Sequence, residues 1–455
     1  MQSIIVEGFR LSPQQRRLWR LQQATPLDAL AFNSHLALLL EGELQSDALR
    51  AALQKICAGH ESLRSTFQRL PGVVMPVQSV HDELSPAWSI VDVSGTIGRE
   101  QATRVEEMLA LEARRRFDLE NGPLVHATLY VLSPVRHLLS ISLPALCADQ
   151  RTLSNLSAEL SKCYREAITG REAEAEPFQY VQFSEWQNAL WEEDDAEQGK
   201  EYWRKHDLSA ASAVLPGQRR SSAPGELHSV ILMLPPEYTT RAAALAKTYA
   251  TTRATVLLSA WQTLLWRLTQ RAIVIGNVCE GRPYEQLHDA FGLFARVLAV
   301  CCQFTNGLRF GEVIQQIDGF QRETEEWQDY FDWDHVLDQD ASKYFSFGYE
   351  YADLSIPWHE GGLQFSVYRQ HCYSEQFDLK LSCAVEGPAL ELEFRYNNAL
   401  FREDDVRRLA RQFQTLLDAA LADPESLIEE LNILSVDERK QILFEWNRTH
   451  RDYVH

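Results

Sequence analysis

A strand, a turn and a helix follow one another between residues 138 and 164, and this unit constrains the fold more than any other segment. Residues 138–142 are apolar and suit a buried strand. The helix that follows has leucines at positions 153, 156 and 160, the spacing of one buried face. The turn between them, residues 143–150, reads LPALCADQ. Loops held by a rigid scaffold often carry function, so this turn is the first place to look for a site.

The chain has 455 residues, and single hydrophobic cores stop growing at about 250–300 residues, so two lobes are expected. Strand and helix patterns alternate in both halves of the sequence. The polar stretch at residues 170–177 ends in Pro177 and predicts the boundary between the lobes. In the first half we predict strands at 33–40 and 125–132 and helices at 47–58 and 97–117; in the second half, strands at 229–234, 273–278, 344–351, 363–368, 379–385 and 390–396 and helices at 236–249, 255–268 and 402–422.

The turn resembles the signature HHxxxDG of the condensation domains of nonribosomal peptide synthetases, which a serine follows two residues later. On this chain the two histidines of the signature fall on Pro144 and Ala145. The aspartate falls on Asp149, the glycine on Gln150 and the serine on Thr152. Only the aspartate is kept, with Thr152 as a near match.

Other segments carry the same resemblance over nearly the whole chain. They are residues 12–19 (SxxQxRxW), 60–67 (HExLRTxF), 117–124 (FDLxxGPL), 276–283 (a strand and a GRP turn), 291–294 (the start of GxFVNT), 377–379 (FDL) and 396–401 (YxxxLF). Together and in this order they are a stronger indication than any one of them alone.

The resemblance implies an α/β fold in which two chloramphenicol-acetyltransferase-like subdomains form a V-shaped pseudo-dimer. The lobes would span residues 1–175 and 176–432, and residues 433–455 resemble the connector to a following adenylation domain. It also implies upstream and downstream carrier proteins whose phosphopantetheine arms deliver thioesters. The domain itself would bind no cofactor.

Composition excludes several other classes of protein. The net charge of −20 argues against nucleic-acid binding, which needs basic surface. No apolar run reaches the ~18 residues of a membrane span, and the first ten residues do not resemble a signal peptide, so we expect a cytoplasmic location. The eight cysteines form no CxxC pair and no metal-binding pattern, so reduced thiols and no metal are expected.

The missing histidine leaves three candidates for chemistry at the turn. In the family the aspartate at this position is largely structural and pairs with the arginine of the GRP turn, here Arg282, and a paired carboxylate is a poor base. His126 lies on a neighbouring strand where the family usually has arginine, and Cys147 lies inside the turn. A buried structural role is the better interpretation of both. Tyr349 belongs to an aromatic run that either lines a channel between the lobes or fills a core.

Two functions remain open. In the preferred one, the domain receives carrier-bound substrates without joining them, and either presents the tethered residue or recruits a tailoring enzyme such as an oxygenase. In the other, the domain forms the amide bond without a histidine, because holding two reactants together can supply ~7–11 kcal/mol. A heterocyclisation domain is disfavoured because Pro144 replaces the aspartate that such domains need there. A free-standing acetyltransferase that uses coenzyme A is weaker too, since it needs a histidine at the same motif.

Overall fold

The computed structural model describes residues 8–24, 32–170, 176–193, 196–206, 211, 213–221, 225–331, 345–354 and 357–434. Residues 171–175 of the predicted linker and 435–455 of the predicted connector lie outside these ranges. Within them the chain is an α/β protein with two six-stranded sheets and one two-stranded sheet. The two large sheets give it two halves of similar construction, as the resemblance implied.

The described helices, numbered along the chain, are α1 (Pro13–Ala24), α2 (Ser46–Gly59), α3 (Gly98–Ala113), α4 (Gln150–Thr169), α5 (Tyr180–Glu192), α6 (Ala196–Arg204), α7 (Pro236–Thr248), α8 (Arg253–Thr269), α9 (Phe310–Glu326) and α10 (Glu403–Ala422). The described strands are β1 (Asn33–Glu41), β2 (Ser65–Gln68), β3 (Val77–Val80), β4 (Ala87–Asp92), β5 (His126–Ser133), β6 (Arg136–Pro144), β7 (Leu227–Leu234), β8 (Ile275–Cys279), β9 (Arg296–Val300), β10 (Phe347–Leu354), β11 (Trp358–Glu360), β12 (Leu363–Cys372), β13 (Leu379–Glu386) and β14 (Ala389–Asn397).

The N-terminal sheet has the strand order β11-β12-β1-β6-β5-β4. Its side chains alternate between two faces, as they must in extended strands. Leu36 and Ile141 belong to the face that packs with α2 and α4. Ala37, one residue after Leu36, and Leu138, three residues before Ile141, belong to the opposite face, which packs with α3. The turn at residues 143–150 follows β6 at the end of this sheet and leads into α4.

The C-terminal sheet has the strand order β7-β14-β13-β10-β8-β9, and its core lies against helices α7 to α10. Helix α8 is the centre of this core, because its residues from Thr255 to Trp266 are all buried. Trp261 contacts the Phe394 and Phe413 rings at centroid distances of 6.0 and 6.1 Å. On the other face, strands β7, β14, β13 and β10 carry mostly polar side chains that line a cleft, whereas β9 packs in a smaller apolar cluster with Trp203 and Phe345.

Strands β11 and β12 come from the second half of the sequence but belong to the N-terminal sheet, where β12 pairs antiparallel with β1. The strand predicted at 363–368 therefore lies in the other half of the fold from its sequence neighbours. This exchange ties the halves together, because Phe365 of β12 lies fully buried in the core under α4.

One predicted element ends earlier than expected. The pattern at 97–117 predicted one long helix, whereas α3 ends at Ala113. The Asn33 side chain accounts for the end, because its amide donates to the carbonyl oxygens of Ala113 and Arg115 at 3.1 and 2.6 Å. Residues 114–117 are thereby drawn along the end of the N-terminal sheet.

The placement of β12 in the N-terminal sheet can be tested at Phe365, whose ring stacks on that of Trp358 with the centroids 5.7 Å apart. We expect Phe365→Ala to lower the free energy of unfolding by about 3–5 kcal/mol, because it empties a buried aromatic site. Ser366→Ala, at the next position on the opposite face, should change it by less than about 0.5 kcal/mol. Urea unfolding of the two variants measures the difference, and equal stability would contradict the assignment of β12 to the N-terminal core.

Candidate functional site

The turn after β6 is short and buried. The Ala145 amide donates to the carbonyl oxygen of Phe32 at 3.0 Å, and the Cys147 amide donates to that of Pro144 at 2.9 Å. Asp149 ends the turn as the N-cap of α4, with its carboxylate accepting from the Thr152 amide at 2.8 Å. This cap fits the sequence, since aspartate is among the best residues for satisfying the free amides of a helix start.

The Asp149 carboxylate is saturated with donors. Besides the Thr152 amide, it accepts from Arg282 Nη1 and Nη2 at 2.8 and 2.9 Å. The backbone amides of Phe294 and Ala295 each donate to Asp149 Oδ2 at 2.9 Å. Both side chains of the ion pair are essentially unexposed, at 0% for Asp149 and 1% for Arg282. Both carboxylate oxygens are therefore occupied by donors of the protein itself.

Arg282 and the loop around Gly292, which precedes β9, complete the contact between the two halves. The Thr152 hydroxyl lies 2.9 Å from the Gly292 carbonyl oxygen, and the Gly292 amide donates back to that hydroxyl at 3.1 Å. Gly292 is required sterically, because a Cβ there would lie 2.0 Å from Tyr180 Cδ2. The Arg282 guanidinium also covers the Phe294 ring at 4.3 Å. Asp149, Thr152 and Arg282 therefore join the two halves.

The other candidates of the turn are also engaged in structure. Ala145 and Cys147 are 0% and 1% exposed. Burial raises the pKa of the Cys147 thiol to about 12, so the thiol stays protonated at neutral pH. His126 Nε2 lies 3.1 Å from the Pro123 carbonyl oxygen, and burial, followed by the charge of Arg115, lowers the pKa of His126.

A cleft of about 1060 Å³ lies between the two halves. Its N-terminal wall includes Pro144 and Gln150 of the turn together with the end of α3 and strand β12. Its C-terminal wall is the polar face of the second sheet, with residues of β7, β10, β13 and β14. Ala145, Thr152 and Tyr349, which we predicted at the channel, are not among the described residues that line this cleft. Tyr349 instead lies in the second core and donates to the Ala254 carbonyl oxygen at 2.7 Å.

The walls of the cleft carry opposite charges. The N-terminal wall has five arginines against two acidic residues, and the C-terminal wall has five glutamates against one arginine. The residues are Arg69, Arg114, Arg115, Arg116, Arg369, Asp118 and Glu120 on the first, and Glu226, Glu350, Glu386, Glu391, Glu393 and Arg395 on the second. Two ion pairs lie at the second wall. Lys380 of β13 pairs with Glu350 of the neighbouring strand β10 at 2.6 Å, and Arg395 pairs with Glu393 of the same strand, β14, at 2.7 Å. The three consecutive arginines at 114–116 thus all line the cleft.

A row of histidines crosses the N-terminal sheet beside the cleft, and the sequence patterns did not predict it. The strand registers place His371 opposite His35, His35 opposite Ser142, and Ser142 opposite His126. His35 Nε2 lies 2.9 Å from Ser140 Oγ, and the His35 and His371 ring centroids are 5.1 Å apart. His371 lines the cleft. The row could have been found only by knowing that β12 pairs with β1.

The described residues contain no cluster of three or more metal-binding side chains, and none of the described helices could cross a membrane. All eight cysteines are free thiols. The geometry is thus that of a two-sheet protein whose halves are joined at an aspartate-capped turn beside a large polar cleft.

Comparison with known proteins agrees with this class. The model of the condensation domain family matches residues 7–443. A linear gramicidin synthase chain of Brevibacillus parabrevis is 30% identical over 460 residues, and tyrocidine synthase 2 of the same organism is 27% identical over 461. The matches cover 96% and 98% of this chain but only 9% and 12% of the two relatives. The chain belongs to the condensation domain family of nonribosomal peptide synthetases.

Solved structures show the same fold. The starter condensation domain of rhizomide synthetase, in complex with C8-CoA, aligns with a TM-score of 0.82 and 17% identity, covering 95% of this chain and 99% of the other. The complex of the X-domain and OxyB from teicoplanin biosynthesis contains a chain that aligns with a TM-score of 0.76 and 21% identity, covering 94% and 96%. Domains with different roles therefore share this architecture.

The Asp149–Arg282 pair predicts a large loss of stability when one partner is removed. We expect Asp149→Ala to lower the free energy of unfolding by about 3–5 kcal/mol, because Arg282 would stay buried without a counter-charge. Replacing both residues, as Asp149→Ala with Arg282→Met, should recover part of that loss. Chemical unfolding of both single variants and the double variant measures the coupling, and additive effects would contradict it.

His35 predicts a loss of stability in mild acid. Burial, with a smaller contribution from Arg369, lowers its pKa to about 4 in the folded protein. Between that value and its ordinary pKa near 6.5 the unfolded chain binds more protons, so stability falls as the pH falls. From pH 7.5 to pH 5 the His35 contribution is about 2 kcal/mol. Urea unfolding at both pH values should show a smaller drop in His35→Asn than in the parent, and an identical drop would exclude His35 as the source.

Proposed function

We propose that this domain receives a carrier-tethered amino acid or peptide in its cleft and presents it without forming the amide bond. The observation that carries this proposal is the position of Ala145. The residue that stands where the family signature has its second histidine is a methyl group sealed in the core, at 0% exposure. The cleft beside it is large enough for a tethered substrate.

The chemistry supports the proposal because amide formation needs a neutral amine and a route for its proton. Asp149 is held by five N–H groups, the Cys147 thiol is protonated, and His126 lies outside the cleft wall among the described residues. None of the three can take that proton from a substrate in the cleft. Losing one general base typically costs about 10²–10⁴ in rate.

The opposite charges of the cleft walls suit a tethered substrate. A phosphopantetheine arm carries a phosphate, which the arginines of the first wall would attract, and Arg114 and Arg116 line that wall. The arm belongs to the carrier protein, so the domain needs no cofactor of its own. We infer upstream and downstream carrier proteins and a neighbouring adenylation domain as partners.

A second candidate function is the recruitment of a tailoring oxygenase to the presented substrate. The teicoplanin X-domain, which has this fold, was solved in complex with OxyB. That complex is a precedent for a domain of this fold that holds a second protein. The competing function is amide formation by approximation alone, which needs both tethered substrates in the cleft together.

An assay with loaded carriers separates presentation from amide formation. We expect the domain to produce no more amide between loaded upstream and downstream carriers than a mixture without it, as measured by mass spectrometry. Ala145→His should not by itself create activity, because Pro144 and Gln150 also alter the turn that would place the new imidazole within ~3 Å of an amine. Amide formed faster with the domain than without it would overturn the proposal.

A cleft variant tests whether the substrate is received at all. Ala384→Trp places a large ring on the second wall and should weaken binding of a peptidyl-loaded carrier by about tenfold or more, since it occupies the space that the substrate needs. Ala244→Trp is the matched control, since that alanine lies exposed on α7, away from the cleft. Equal binding by both variants would show that the tethered substrate does not enter the cleft.

A further inference from the structure

His371 is the one histidine of the row that lines the cleft in the part of the chain that the structure describes. Its Nε2 atom is buried and has no hydrogen-bond partner among the described residues. The ring contacts the rings of His35 at 5.1 Å and Tyr373 at 4.9 Å. A buried polar atom without a partner costs free energy, and a ligand that supplied the missing donor would recover that cost.

His371 lies close to the functional turn. The backbone amide of Tyr373 donates a hydrogen bond to the Asn33 carbonyl oxygen at 2.8 Å. Asn33 of β1 in turn pairs with Pro144 of β6. Gln370, one residue before His371, donates its side-chain amide to the Gln150 carbonyl oxygen at 2.7 Å. The imidazole therefore stands on the crossing strand beside the turn, next to the position of the missing motif histidines.

The charges near His371 decide which group it can accept. Burial, then the neighbouring His35 ring and the charges of Arg395, Arg369 and Lys380, hold the pKa of His371 well below its ordinary value. The imidazole is neutral at physiological pH and offers one nitrogen as an acceptor. The same cations repel a protonated amine. A neutral donor, such as the N–H of an amide, has no such penalty.

To face the cleft the nitrogen needs a rotation of the ring but no movement of the strand. A half-turn of the imidazole about its Cβ–Cγ bond exchanges the places of Nε2 and Cε1, and those of Nδ1 and the remaining ring carbon. Either edge of the ring can thus present a nitrogen to a substrate. No hydrogen bond of Nε2 within the described chain has to break for this turn.

We propose that His371 accepts a hydrogen bond from the amide N–H of the residue tethered in the cleft, so that the cleft selects a residue whose α-nitrogen is already acylated. This inference rests on the proposed function and narrows its substrate class from any tethered amino acid to a peptidyl or N-acyl residue. A single amino acid with a free ammonium group would be bound more weakly.

Three pantetheine probes on a carrier protein test the inference. The first bears N-acetyl-leucine, the second its ester isostere, in which oxygen replaces the N–H, and the third leucine with a free amine. We expect the parent domain to bind the first about 2- to 10-fold more tightly than the second, the range of one hydrogen bond. The third should bind more weakly than the first.

Variants assign that preference to one side chain. His371→Leu should bind the first two probes equally, whereas His371→Gln, which keeps an acceptor, should retain part of the difference. His126→Leu is the matched control, because His126 lies in the same row but is not among the described residues of the cleft wall, and it should keep the parent preference.

The outcomes separate this inference from the proposed function. Equal binding of amide and ester probes by the parent domain, or an unchanged preference in His371→Leu, overturns the role of His371 and leaves reception in the cleft intact. Tighter binding of the free-amine probe overturns the substrate class. Failure of every probe and of a peptidyl-loaded carrier to bind overturns both proposals.

Discussion

The Asp149 carboxylate is the junction on which the arrangement of this protein depends. Burying two opposite charges is expensive, and their attraction offsets that cost only where hydrogen bonds satisfy the remaining atoms. Here the carboxylate caps α4 of the first half, pairs with Arg282 and receives two backbone amides from residues 294 and 295 of the second half. One side chain thereby orders the turn, starts a helix and fixes the approach of the two sheets.

Because Asp149 and backbone groups hold the turn, the turn can lack the two histidines of the family signature and keep its shape. The backbone of the turn is held by Asp149, by the Ala145 amide on Phe32 and by the Ser34 hydroxyl, which donates to the Ala148 carbonyl oxygen at 2.6 Å. Neither position 144 nor position 145 contributes a side chain to these bonds. Alanine and proline there remove polar groups that would otherwise need partners, so the core closes over Ala145. The architecture and the chemistry of the motif are therefore separable.

The sequence was informative wherever the deciding interaction is local or carried by a recognisable motif. Hydrophobic periodicity predicted β6 and α4, and the family resemblance predicted the pairing of Asp149 with Arg282. The sheet to which residues 363–372 belong could not be predicted, because alternation assigns faces and not partners. For the same reason the position of His371 could not be predicted, because His371 lies opposite His35 only when β12 pairs with β1. Ala145 was expected at a channel because a histidine would reach one; a methyl group is short enough to be enclosed.

The crossing strand β12 brings side chains from the second half of the sequence to the N-terminal wall of the cleft. It is held in the N-terminal sheet by β1, yet it carries Arg369 and His371 to the wall that faces Lys380 and Arg395 of the second sheet. Each of the three cations has a carboxylate partner, whereas the imidazole Nε2 has none within the described ranges. The three cations still disfavour a further positive charge beside the imidazole, as the lowered pKa of His371 shows. The unpaired neutral acceptor then distinguishes an amide N–H from an ester oxygen, and the cations around it distinguish an amide from an ammonium group.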